Sequence, residues 1–262
     1  MCRMEVNGPT GEDAVMASAR WWSATAAEYI AEHGDFLGDA DLRWCPEGLT
    51  EDSCAFLGPV AGARVLEVGA GAGQGARWVA RHGGDVVASD VAEGMLRQAR
   101  IIAERTAISV PLICADARAL PFADDSFDIV FTAFGVLPFV PDPGRVHREV
   151  ARVLRAGGRW VFSTTHPMRW VFADDPDPDH LRVVRPYFDA PPYVEHQDGV
   201  VSYAEFQHTM ADVVGAVIGA GFVLDDLLEP RWVPGNSHTW GAWSAARAPF
   251  VPGTLIIRAH LP

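Results

Sequence analysis

Three carboxylates, Glu67, Asp90 and Asp116, each close a short apolar stretch, and a run of glycines follows the first of them. Val65, Leu66 and Val68 read as a buried strand in which Glu67 is the odd residue. A buried carboxylate is costly unless paired, so Glu67 points to a polar partner beyond the strand end. Gly69, Gly71, Gly73 and Gly75 come next at alternate positions, and the chain from Ala76 to Ala80 reads as a helix. Strand, glycine turn and helix together let backbone N–H groups approach a ligand closely.

Several ligands suit such a turn. A P-loop is excluded, because no G-K-[ST] follows. The stretch Gly71-Ala72-Gly73-Gln74-Gly75-Ala76 satisfies the dinucleotide pattern G-x-G-x-x-A, but that pattern gives Glu67 nothing to do. A nicotinamide oxidoreductase therefore remains an alternative. The chain contains no lysine, which removes the usual Tyr-x-x-x-Lys arrangement of one such class.

The elements that position these residues follow from periodicity. A helical pattern runs from Glu12 to about His33, with Trp21, Trp22, Ala26, Tyr29 and Ile30 at three- and four-residue steps. Thr50 and Ser53 mark a short helix start. From Arg64 strands and helices alternate: strand 64–68, helix near 74–82, strand 85–89, helix through Met95 and Ile102, strand 110–114, strand 127–132, helix 145–155 and strand 159–163. The spacing of Asp90 to Glu93 predicts a capping box, and Gly157-Gly158 reads as the stop of the last helix. Residues 164–201 hold many prolines and the acidic run D-D-P-D-P-D, and read as a solvated loop. Ser202 to Glu205 predicts another capping box, with a helix behind it burying Phe206, Met210, Val213, Val214 and Val217. Strands at 222–228 and 253–260 close the chain. This order describes one α/β domain with a parallel sheet. Its parts are a helical cap over 1–60, a cofactor-binding core over 61–163, an insertion over 164–201, and a helix and strands over 202–262 that complete the sheet.

Four stretches together resemble one family. These are V-L-E-V-G-A-G-A-G-Q-G, V-V-A-S-D-V-A-E-G-M-L, C-A-D-A-R-A-L-P-F-A-D-D-S-F-D-I-V-F and E-V-A-R-V-L-R-A-G-G-R-W-V-F-S, in that order over Arg64 to Ser163. They are similar to the class I S-adenosylmethionine-dependent methyltransferases, particularly the type 11 subgroup. The resemblance implies a Rossmann-like, seven-stranded, doubly wound sheet with its last strand antiparallel, and an N-terminal helical lid. It implies that Gly69, Ala70, Gly71 and Gly73 pass under the methionyl part of S-adenosylmethionine, with Glu67 near its ammonium group. Asp90 would take both ribose hydroxyls, and Val91 or Met95 would pack on the adenine. Asp116 would accept from the adenine amino group beside the Ala117 N–H. Phe134 would touch the methionyl end and open the acceptor pocket. Each residue has a plainer role available: Asp90 as a helix cap, Asp116 as a turn residue, Met95 as core.

Outside that set, His166 follows the fifth strand as S-T-T-H-P, where it would take a proton from an O–H or N–H nucleophile. Tyr29, in the cap, is the second catalytic candidate, and Trp44 beside it is a candidate cover for the cofactor. Either aromatic residue would otherwise be core. His238, Trp240 and Trp243 would shape an aromatic pocket or simply cover the sheet.

The bulk properties narrow the partners. The formal net charge is −13 and the arginines are scattered, which disfavours nucleic acid. Neither C-x-x-C nor H-x-x-x-H occurs, so no metal site is expected. The four cysteines suit a reducing, cytoplasmic setting. The N-terminus lacks a signal-peptide core and no apolar run would span a bilayer. The expected function is methyl transfer from S-adenosylmethionine, leaving S-adenosylhomocysteine, to a small aromatic or hydrophobic acceptor of specialised metabolism. A non-catalytic protein that binds S-adenosylmethionine for regulation is the further alternative.

Overall fold

The computed structural model describes residues 11–262. Residues 1–10, with Cys2 and most of the tail expected over 1–11, lie outside them. The chain runs α1 (Gly11–Leu37), α2 (Glu51–Cys54), β1 (Arg64–Val68), α3 (Gln74–Arg81), β2 (Asp85–Asp90), α4 (Glu93–Thr106), β3 (Leu112–Cys114) and β4 (Phe127–Ala133). It continues with α5 (Pro143–Val153), β5 (Leu154–Thr165), β6 (Tyr193–Gln197), β7 (Val200–Glu205), α6 (Met210–Gly219), β8 (Val223–Leu228) and β9 (Thr254–His260).

Seven strands form one sheet in the order β3-β2-β1-β4-β5-β9-β8. The first five are mutually parallel, and β9 is antiparallel to both β5 and β8. Side-chain alternation divides the core between the two faces. Leu66, Val68, Val130, Trp160, Phe162, Leu255 and Ile257 pack against α5 and α6 through Val146, Val150, Val213 and Val217. Their neighbours Val65, Ile129, Phe131, Val161 and Ile256 pack on the other face against Ala76, Trp78 and Val79 of α3 and against Leu42, Phe56 and Leu57. Both faces are covered, so the central strands read as continuous apolar runs and the fold is the doubly wound Rossmann-like sheet.

Four local readings need correction. The Gly157-Gly158 pair does not stop α5, which ends at Val153 because Leu154 is drawn fully into the core as the first residue of β5. The glycines lie where the register against β4 jumps from Phe127↔Leu154 to Ile129↔Arg159, so they form a bulge. The expected capping box over Ser202–Glu205 is strand β7, paired with β6 in a separate hairpin. Its Tyr203 ring packs on Trp21 at 4.8 Å and on Phe139 at 6.0 Å, which rewards alternation rather than a helical turn. Helix α6 is capped later, by Thr209 with Asp212 in a reciprocal box. The proline-rich stretch is accordingly a loop only in part, since it carries the hairpin. At α4 the N-cap is Ala92, which makes no side-chain bond. Asp90 is turned inward, and Ser23 of α1 accepts from the Gly94 N–H at 3.2 Å instead.

That last contact fixes α1 across the sheet edge. A Cβ on Gly94 would stand 2.1 Å from the Ser23 carbonyl oxygen, so the helices meet only because residue 94 has no side chain. Beyond it, His33 stacks on Trp240 at 3.9 Å and Phe36 on His238 at 4.4 Å, seating the far end of α1. Gly94→Val is expected to lift α1, at a cost of about 1–3 kcal/mol. Thermal denaturation would show the loss, and limited proteolysis would show cleavage within α1 before the core.

Candidate active site

Glu67, on β1, is buried, and its Oε2 accepts from the Ala76 N–H at 2.7 Å. Ala76 lies in the first turn of α3, whose N-cap is Gly73 and has no side chain to offer. A carboxylate on the strand thus satisfies a helix N–H that the glycine turn leaves open. Burial pushes the Glu67 carboxyl up to about 8, against the pull of that N–H and of Arg77.

Asp90 ends β2, and its two oxygens accept from Gly71 N at 2.7 Å and Ala92 N at 2.8 Å. Burial raises its carboxyl above the usual range, while these N–H groups oppose the shift. Asp116 follows β3 and is gripped by Arg118. Oδ1 accepts from Arg118 N at 2.8 Å and Oδ2 from Nη2 at 2.7 Å. Burial alone would raise its carboxyl, but the Arg118 groups outweigh it and hold it below the ordinary value.

The turn itself passes close to its neighbours. A Cβ on Gly69 would lie 2.4 Å from Val136 Cγ2, and φ is +64° there. After β4, Phe134 and Val136 both adopt φ of +62°, which is strained for side chains of this size. Phe134 is held by its N–H donating to Ser163 Oγ at 2.8 Å and by its ring against Trp243.

These elements enclose a cavity whose empty volume is about 1130 Å³, open mouth included. One wall is the sheet edge with Glu67, the turn, Asp90, Val91, Met95, Asp116, Ala117 and Phe134. The other is α1, through Val15, Ser18, Trp22 and Tyr29, with the segment after it contributing Asp41 and Arg43. Most of the residues expected to hold the cofactor therefore meet in one place.

The structure places several expected residues differently. Gly73 does not line the cavity; its N–H donates to Ala70 O at 2.8 Å, so it shapes the turn. Trp44 is fully buried away from it, against Phe56 and Phe131, with Nε1 donating to Glu51 Oε2 at 2.9 Å. The apolar surroundings of a wholly sequestered ring make it core. His166 does not reach the cavity either. Its Nδ1 accepts from Met168 N at 3.1 Å, so Nε2 carries the proton and donates to Glu229 Oε1 at 2.9 Å. One ring nitrogen is spent on the turn after β5 and the other on the segment after β8. Tyr29 lines the cavity, but burial raises its hydroxyl above the ordinary range. It stays a phenol, able to donate a hydrogen bond and unsuited to act as a base. His238 and Trp240 seat α1, as described above, and line no part of the cavity.

Sequence reasoning missed Ser18, Asp41, Arg43 and Gln74. Arg43 is the one cationic side chain among the described residues of the lining, beside the carboxylates of Asp41, Glu67, Asp90 and Asp116. Arg43 Nε, Gln74 Nε2 and Ser18 Oγ are buried without a hydrogen-bond partner. Buried polar groups are ordinarily satisfied, so these three orphans mark where a polar ligand belongs. No group of three or more His, Cys, Asp or Glu able to hold a metal occurs among the described residues.

Known proteins share parts of this sequence and fold. Residues 66–162 match the family model of the type 11 methyltransferase domain. An uncharacterised protein of Mycobacterium tuberculosis is 33% identical over 157 residues, 59% of this chain and 53% of its own. A demethylmenaquinone methyltransferase of Renibacterium salmoninarum is 40% identical over 123 residues, 45% of this chain and 50% of its own. The chain thus spans about half the length of these curated relatives. The solved S-adenosylmethionine-dependent methyltransferase of Mesorhizobium loti superposes with a TM-score of 0.62 at 26% identity, over 82% of this chain and 98% of that one. The core over 66–162 is thus similar to the S-adenosylmethionine-dependent methyltransferases, and S-adenosylmethionine is the cofactor of that class. The donor set fits it: acidic groups for a ligand with an ammonium, a sulfonium and ribose hydroxyls, and a single guanidinium for its carboxylate.

The buried Glu67 makes stability depend on pH. Its pKa rises from 4.5 in the unfolded chain to about 8 in the folded protein. Across that window the unfolded chain releases a proton that the folded protein keeps, so stability falls as pH rises. Glu67→Gln removes the titration. The difference in Tm between variant and wild type, measured by calorimetry without ligand, is expected to grow in favour of the variant from pH 5 to pH 8. A difference independent of pH would remove Glu67 from this role.

Proposed function

We propose that this protein transfers the methyl group of S-adenosylmethionine to a small molecule with a flat, largely apolar body. The observation that carries the proposal is the cavity's asymmetry. Glu67, Asp90 and Asp116 stand on or just beyond β1, β2 and β3, while its walls after β4 are Val136, Phe139 and Val140, faced by Val15 and Trp22 of α1.

When bound, S-adenosylmethionine supplies an electrophilic methyl group on a sulfonium. The chain's own residues hold and align. Asp90, already fixed by two N–H groups, retains lone pairs for the ribose hydroxyls. Arg43 pairs with the carboxylate of the amino-acid end, and Glu67 with its ammonium. Among the described residues no histidine or cysteine lines the cavity, and Tyr29 keeps its proton. The contribution this lining supports is orientation and the exclusion of water by α1. Transfer removes one positive charge from the ligand. The acidic lining then attracts it less, which favours release of the product. The demethylmenaquinone methyltransferase relative supports a quinone-like acceptor. Three unpaired thiols, Cys45, Cys54 and Cys114, support a reducing, cytoplasmic setting. No helix among the described residues is long and apolar enough to cross a membrane.

Two titrations test the donor site. Asp90→Ala is expected to weaken S-adenosylhomocysteine binding by about ten- to hundredfold, the loss of one or two charged hydrogen bonds. Unchanged affinity, or binding of NADH in its place, would sink the donor assignment. Arg43→Met is expected to weaken S-adenosylhomocysteine by roughly tenfold or more. Binding of 5′-methylthioadenosine, which has no amino-acid end, should be unaltered. Equal losses for both ligands would place Arg43 elsewhere.

A further inference from the structure

One orphan polar atom in the cavity, Ser18 Oγ, is not among the groups assigned above to the methyl donor. Ser18 is 3% exposed and lines the cavity, and its Oγ meets no hydrogen-bond partner. A helical serine or threonine can return its hydroxyl to the carbonyl four residues back. Thr25 does so on the same helix, donating to Trp21 O at 2.8 Å, and Ser18 does not. A buried hydroxyl left open is unfavourable unless something polar arrives to meet it.

Its position says what arrives. Val15, Ser18 and Trp22 share one face of α1, three and four residues apart. Val15 belongs to the cluster of Leu137 and Val140, and the Trp22 ring lies 5.7 Å from Phe139. Ser18, between them, stands over the loop that follows β4. The carboxylates assigned to the donor are on or beyond β1, β2 and β3, whereas β4 lies on the opposite side of β1 from β2 and β3. The cavity walls there, Val136, Phe139 and Val140, carry no side-chain polar atom. Ser18 offers the one hydroxyl, among the described residues, set between Val15 and Trp22 in an apolar slot edged by the Trp22 and Phe139 rings.

We propose that Ser18 sets acceptor specificity: the acceptor is a flat apolar ring compound whose hydroxyl or carbonyl group hydrogen-bonds Ser18 Oγ. A serine hydroxyl both donates and accepts, so either group suits it. A site with a buried hydrogen-bonding group discriminates against an analogue that lacks the matching atom, because the protein group is then left open.

The proposal rests on the methyl-donor reading, and one experiment separates the two. Protein loaded with S-adenosylhomocysteine is dialysed to equilibrium against 2-naphthol and, separately, against naphthalene. The ratio of the two affinities is compared between wild type and Ser18→Ala, with S-adenosylhomocysteine affinity measured alongside. The variant is expected to lose about fivefold or more of the preference for 2-naphthol, with S-adenosylhomocysteine affinity unaltered. An unchanged ratio with normal S-adenosylhomocysteine binding overturns the Ser18 proposal and leaves the donor reading standing. A loss confined to S-adenosylhomocysteine affinity also overturns it, by moving Ser18 to the donor. Absence of 2-naphthol binding to the loaded wild type overturns the acceptor class. Failure of the wild type to bind S-adenosylhomocysteine overturns the donor reading and the proposal with it.

Discussion

A turn built of glycine has backbone N–H groups and no side chains to satisfy them. That deficit organises the site. The N–H of Ala76, at the start of α3, is met by Glu67 from β1, and the N–H of Gly71 by Asp90 from β2. Both carboxylates are consequently fixed at the cavity before any ligand is present. Fixed groups lose little freedom on binding, and this preorganisation is the form of catalysis open to a transfer that needs alignment more than proton movement. The cost is visible in the raised carboxyls of Glu67 and Asp90, which burial holds away from their ordinary values.

The opposite wall obeys a different rule. Helix α1 presents one face to the cavity and is held at three places: at Gly94, along the Trp21–Tyr203 contact with the hairpin, and in the stacks with His238 and Trp240. These are ring contacts and two hydrogen bonds, at Gly94 and from Arg20 to the Val201 carbonyl, without an interlocked sheet. On the proposed reading the sheet edge sets where the donor atoms go, and α1 sets the shape left over for the acceptor.

The cofactor side was legible in the sequence because its residues are adjacent to strand ends, and strand ends are set by local apolar runs. Glu67, Asp90, Asp116 and the glycine turn needed only the order of the strands to be brought together. Ser18, Arg43 and Gln74 were not legible, since each looks like an ordinary surface residue until a distant wall closes over it. His166 shows the converse failure. It stands at the correct edge of the sheet, but its ring nitrogens serve Met168 and Glu229, partners no spacing rule identifies. Trp44 failed for a related reason, because an aromatic residue in an irregular cap segment is equally suited to cover a ligand or to fill a core. The hairpin of β6 and β7 was hidden by the coincidence that S-Y-A-E satisfies both a cap and a strand.

The placement of β9 has a consequence for how the site comes into being. This strand sits between β5 and β8 and is the last of the three to be synthesised, so β8 has no partner in the sheet until β9 inserts. Pairings of such long sequence separation are slow to form. Thr254, at the start of β9, also donates to Glu47 Oε2 at 2.7 Å, tying the strand to the segment that follows Arg43. On the ribosome, the glycine turn and its carboxylates emerge early, as a half-built nucleotide fold. The cap segment gains this anchor only once β9 is in place, which couples that part of the cavity wall to the pairing of a strand distant in sequence.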